Sequence, residues 1–132
     1  MYAPFQVSGQ IKPSAAVTTY GAAFVITPDA GYQKLQLHGL GLNVTTIGTE
    51  TLTFAITATR KDGSTVTLSP VITATAVGEK DLTVVQLAQL MEDIGWIVSL
   101  SVAVESSIVS STGVVTVSAI GSEFPMYGDR NY

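Results

Sequence analysis

The residue types that most often do chemistry are sparse in this chain. His38 is the single histidine and cysteine is absent, so clustered imidazole and thiolate metal sites are both excluded. Acid–base work would fall on His38 alone or on carboxylates. A hydrolytic triad also needs a nucleophile and an orienting acid beside its base, and nothing in the spacing around Leu37-His38-Gly39 marks either. Glu79 and Asp81 flank Lys80 and could share a cation, but two carboxylates just ahead of a helical run are more often solvent-facing capping residues. Gly39-Leu40-Gly41 starts like a dinucleotide fingerprint but has Val44 where the third glycine belongs, and it opens no helix. Asn43-Val44-Thr45 fits the glycosylation acceptor pattern, which matters only on an exported chain. No catalytic, cofactor-binding or metal-ligating residue is assigned. The expectation is a protein that is not an enzyme.

The composition limits what else it can be. A length of 132 residues suits one domain. The net charge is −4, and the six basic residues, Lys12, Lys34, Arg60, Lys61, Lys80 and Arg130, are scattered, which disfavours binding to nucleic-acid phosphates. Charged residues make up 12% of the chain, against about 25% in an ordinary globular domain. With so few charges, either much of the surface is covered by neighbouring subunits or a threonine-rich domain stays soluble through its hydroxyls. The opening MYAPFQVSGQIKPS has no cationic and apolar regions of a signal peptide, so the expectation is a chain not exported by a cleaved signal. No apolar run approaches the ~18 residues of a membrane span; the nearest, Gly95 to Val104, is cut by Ser99 and Ser101.

The elements that would position any site are mostly strands. Leu52, Phe54, Ile56 and Ala58 alternate with polar residues, Val66 and Leu68 resume the pattern, and Arg60 to Ser64 is turn chemistry between them. A three-residue loop, Lys61-Asp62-Gly63, sets Ala58 opposite Val66, Ile56 opposite Leu68 and Leu52 opposite Ile72, and so keeps one face apolar. Short β-runs are expected at Ala15 to Tyr20 and Ala22 to Thr27, followed by a turn with Pro28 in its first central position. Tyr32 to Val44 alternates with a change of parity at Gly39, which predicts a bulge there. Pro70 should break the strand that follows the hairpin, and Gly78 should end it. Asp81 to Gly95 is the one amphipathic helix, with an apolar stripe of Val84, Leu87, Ala88, Leu90, Met91 and Ile94, Asp81 as its cap and Gly95 in the left-handed position after it. Glu92 and Asp93 lie at its negative pole, facing either a partner or solvent. Trp96 to Val104, with Val98, Leu100, Val102 and Val104 inward, and Val114 to Ile120 are read as a final hairpin that turns at Ser111-Thr112-Gly113. A bulge at Glu105 to Ser107 would reconcile its two faces.

These elements predict a mainly β fold, an antiparallel sandwich or barrel of about seven or eight strands with one flanking helix, Asp81 to Gly95. The organisation expected is an extended arm at 1–14, a β-sandwich domain at 15–120 and an aromatic extension at 121–132, with an ordinary docked first strand as the alternative for the arm. Tyr2, Phe5, Phe124, Tyr127 and Tyr132 are half of all the aromatic residues yet lie in roughly a fifth of the chain. Aromatic side chains are enriched where proteins hold one another, so these five are the candidate interface residues.

In overall character, with few charges, many strands and aromatic extensions, the chain resembles the small β-rich structural proteins of tailed-phage virions, especially capsid decoration or cement proteins. The resemblance implies an oligomer of copies of itself, most often a trimer, seated on a major capsid protein. It further implies assembly in the host cytoplasm, location in the virion, and no cofactor, nucleic-acid or membrane partner. Phage tail-tube proteins, which stack in rings, are a second family of similar character. A carbohydrate- or protein-binding sandwich module is a third reading.

Overall fold

The computed structural model describes residues 2–91 and 95–125. Over them the period-two pattern becomes nine strands and one short helix: β1 (Ala3–Ile11), β2 (Phe24–Ile26), β3 (Lys34–Thr46), β4 (Leu52–Thr59), β5 (Thr65–Thr67), β6 (Ile72–Ala74), β7 (Gly78–Asp81), α1 (Val84–Met91), β8 (Ser99–Ser106) and β9 (Val114–Phe124). One antiparallel sheet has the order β1-β9-β3-β7; the other runs β2-β8-β4-β5, with β6 also paired to β4. Their inner faces make the sandwich core. Leu35, Leu42, Leu52, Leu100, Val102, Val104, Val115 and Val117 all have essentially no exposed surface. Each fully buried aliphatic side chain of this size contributes about 1.5–3 kcal/mol to burial.

Where the chain's instructions are local, the expected geometry forms. Arg60 N–H donates to the Ser64 carbonyl at 2.9 Å, Gly63 has φ +87°, and Ala58 faces Val66, so the loop has three residues. The ladder of β3 on β9 shifts register between Leu37 and Gly39, which leaves His38 as the extra residue of a bulge. Leu35 and Leu37 point inward before it, and Leu40, Leu42 and Val44 after it.

Several expectations are corrected. Beyond Pro70 the pairing is displaced by two residues, so that Ile72 faces Phe54 and Ala74 faces Leu52. A displacement of two keeps every side chain on its own face, which is why the apolar pattern did not expose it. The turn after β2 is centred on Ala30 and Gly31, with Tyr32 N–H on the Asp29 carbonyl at 3.0 Å and Gly31 at φ +90°; Pro28 precedes it. Ala15 to Tyr20 forms no strand. It follows the edge of β8 as a loop pinned by Thr18 N–H on Ser106 and Gly21 N–H on Val104. Gly78 opens β7, and Asp81 lies in that strand opposite Gly41, so it does not cap the helix. The cap is Thr83: its hydroxyl accepts Gln86 N–H at 3.2 Å while the Gln86 side chain accepts Thr83 N–H at 2.9 Å, a reciprocal capping box.

Helix α1 therefore begins three residues later than expected. Leu87 and Leu90 are buried and Met91 packs on the core, whereas Val84 and Val85 are 82% and 78% exposed. Gly95 does take the left-handed conformation, at φ +73°. Glu92, Asp93 and Ile94 lie outside the described residues. Ile97 turns inward in place of Val98, and its backbone lies alongside that of Leu35, the two exchanging N–H to carbonyl hydrogen bonds at 2.7 and 2.8 Å as an isolated antiparallel bridge. The expected final hairpin is absent: β8 pairs with β2 and β4, β9 with β1 and β3, and 107–113 crosses from one sheet to the other. Ser106 stays in register opposite Leu52, so no bulge is needed at Glu105 to Ser107.

Candidate contact surfaces

The five aromatic candidates separate on folding. Phe5 alternates inward on β1 and is 6% exposed, so its ring is part of this chain's own core; the arm expected at 1–14 is, from Ala3 to Ile11, a strand laddered to β9. Tyr2 is 64% exposed, and its ring lies 5.7 Å from that of Phe124 at a tilt of 35°. This pair stands at the corner where β1 begins and β9 ends. Lys34, the first residue of β3, is almost wholly buried there and places its ammonium 5.0 Å from the Trp96 ring and 5.3 Å from that of Phe124. Such cation–π contacts gain when desolvated. The Glu123 carboxylate, also buried, accepts the Asp29 N–H at 2.9 Å and ties the turn before β3 to the same corner. Trp96 and Lys34 belong to this corner although sequence reasoning did not single them out. Tyr127 and Tyr132 lie outside the described residues.

The groups first considered for chemistry share one trough on the outer face of the first sheet. His38, exposed on its bulge, together with Gly39, Gly41, Ser118, Glu79 and Asp81, borders a shallow cavity of about 350 Å³. The two carboxylates lean over Gly41: a Cβ on that glycine would stand 2.8 Å from Asp81 Oδ1 and 3.3 Å from Glu79 Oε1. Both acids are exposed. Among the described residues no group of three His, Asp or Glu side chains is arranged to hold a metal ion.

Apart from the acids and lysine of β7, the two outer faces carry little charge. Across β1, β9 and β3 the outward rows are Gln6, Ser8 and Gln10, then Thr116, Ser118 and Ile120, then Gly39, Gly41 and Asn43. On the other sheet the outward residues of β4 are Thr53, Ala55, Thr57 and Thr59 and those of β8 are Ser99, Ser101 and Glu105, all half-buried, with Ala103 among them buried. Thr57 and Thr67 hydroxyls are 3.1 Å apart across β4 and β5. Glu105 is the one charge among these outward residues of β4 and β8; burial and its negative charge together push the Tyr20 hydroxyl above the ordinary tyrosine value. The apolar residues that remain exposed are mainly valines, including Val25, Val77, Val84 and Val85.

No protein-family model matches the sequence, and no curated protein is similar to it. Three solved structures of infectious bursal disease virus are similar in fold. A structure of the virus, Gx strain, matches at 15% identity with a TM-score of 0.43, over 100% of this chain and 34% of the other. Its VP2 subviral particle matches at 15% and 0.39, over 95% and 33%. T=1 particles derived from the virus match at 16% and 0.38, over 95% and 32%. The chain thus spans about a third of the length of the proteins it is similar to.

Proposed function

We propose that this chain is a non-enzymatic structural protein of a virion that decorates and stabilises an icosahedral capsid, working as a homo-oligomer, a trimer, on a lattice of major capsid protein. The observation that carries the reading is the pair of outer sheet faces, arrays mainly of hydroxyl, amide, glycine and alanine with Ile120 exposed among them, in which charges are confined to β7 and Glu105. A solitary domain relies on charge to keep copies apart. These faces put little electrostatic cost on close approach, and threonine and glutamine rows supply hydrogen-bond donors and acceptors to a partner. The aromatic corner of Tyr2 and Phe124 adds contact area that costs little conformational entropy.

The test compares capsids prepared with and without this chain. The reading expects the chain to sediment with the capsids and to raise the temperature at which they rupture. Capsids that rupture at the same temperature, with all of the chain left in the supernatant, would overturn it.

A further inference from the structure

Three of the four sheet edges are blunted in ways that stop strands from adding to them. β7 is four residues long and carries Glu79, Lys80 and Asp81, so a second copy laid antiparallel on it would bring acids against acids. β5 and β6 are three residues each, and the gap between them is occupied by Gln89, whose side chain accepts the Ser69 N–H and donates to the Ser69 carbonyl, both at 2.9 Å. β2 is also three residues long. β1 has no such defence. It runs for nine residues without a charge, has no proline from Phe5 to Ile11, and has β9 as its only ladder partner among the described residues.

We propose that the free edge of β1 pairs antiparallel with β1 of a second copy of this chain, about a two-fold axis at Ser8. This rests on the structural role proposed above and names one of its contacts. The partner is identified by the strand's own symmetry. Phe5-Gln6-Val7-Ser8-Gly9-Gln10-Ile11 has the same character read in either direction: a large apolar residue at each end, a glutamine inside each, and a serine at the centre. A two-fold through Ser8 sets Gln6 opposite the other copy's Gln10, Phe5 opposite Ile11, Val7 opposite Gly9 and Ser8 opposite Ser8. Phe5 and Ile11 are buried while Gln6, Ser8 and Gln10 are exposed, so each face continues across the seam, apolar beside apolar and amide beside amide. A slip of one residue would break both faces at once. With no charge on the strand, self-pairing meets no like-charge repulsion, which is the term that disqualifies β7. The result doubles the four-stranded sheet and covers the edge of β1 that no other described strand pairs with. It uses a two-fold and leaves the other surfaces free for a three-fold.

Ser8→Lys and Ser8→Glu test the axis, because each places two like charges directly opposite one another. Ser8 is exposed, so both variants should keep the wild-type circular dichroism. Sedimentation of each variant alone should show the assembled mass halved relative to wild type, and a one-to-one mixture of the two should restore it. Because the chain has no cysteine, Ser8→Cys should also give a single covalent dimer on mild oxidation. A Ser8→Lys chain that assembles like wild type, or a wild type that stays monomeric up to millimolar concentration, would overturn the pairing. Capsid binding is scored separately. Binding that persists in a chain whose mass ignores Ser8 sinks the edge alone, whereas pairing through Ser8 in a chain that ignores capsids sinks the proposed function and leaves the edge standing.

Discussion

Two connections leave the adjacent strands β4 and β8, and they are built in opposite ways. The turn at 60–64 closes on itself: the Asp62 carboxylate accepts the Ser64 N–H at 2.9 Å and its hydroxyl at 2.6 Å, while Gly63 supplies the left-handed residue. The connection at 107–113 closes on a residue far behind it in the chain. Glu50, 1% exposed, accepts the Ser111 hydroxyl through Oε2 and the Gly48 N–H through Oε1 at 2.6 Å. Ser111 Oγ in turn accepts the Gly113 N–H at 3.0 Å, and Ser107 exchanges hydrogen bonds with Thr51 at 2.9 and 3.1 Å. The first connection is specified by five consecutive residues. The second depends on a buried carboxylate, and it is what lets the chain leave one sheet and enter the other.

The largest effect should come from breaking that remote support. Glu50→Ala removes the charged acceptor of two part-buried hydrogen bonds, and a hydrogen bond to a charged group contributes about 1.5–3 kcal/mol, so chemical denaturation should show a loss of about 3 kcal/mol. The same group sets an acid limit. The Ser111 hydroxyl, followed by backbone N–H groups, holds the Glu50 carboxyl below the ordinary glutamate value. A folded-state value lower than the unfolded one means that the contribution is complete above the ordinary value and is lost as pH falls through the lowered one. Glu50→Gln should therefore flatten the acidic limb of the stability curve. Gly63→Val should cost less, about 1–2 kcal/mol for a β-branched residue in the left-handed region. If Gly63→Val proved the more damaging, the contrast between the two connections would fail.

The same contrast explains what the sequence reveals. The β4–β5 loop, the bulge expected at Gly39, which forms with the neighbouring His38 as its extra residue, the left-handed Gly95 and the inward residues of β3 and β4 are legible because each is decided within a few residues by period and glycine position. The helix starts at Val84 and not at Asp81 because β3 captures Asp81 into a short strand, an attraction between segments some forty residues apart in the chain that the amphipathic pattern does not contain. The expected final hairpin does not form for a related reason. Leu100, Val102 and Val104 suit the inner face of either sheet, and alternation states which side is buried without stating which strand lies alongside. Counting aromatics located Tyr2 and Phe124 at an exposed corner but treated Phe5 as equivalent. Its inward place in the alternation of β1 assigns it to the core, and only the sheet order shows β1 to be an open edge.

The central claim is that these charge-poor faces and this open edge exist to be covered by other protein subunits. Electron cryo-microscopy of capsids mixed with the purified chain tests it most directly. The account predicts added density at symmetry-related lattice positions into which the sandwich fits, with its outer sheet faces or β1 edge in contact. Bare capsids beside a chain that remains monomeric in the same solution would contradict it.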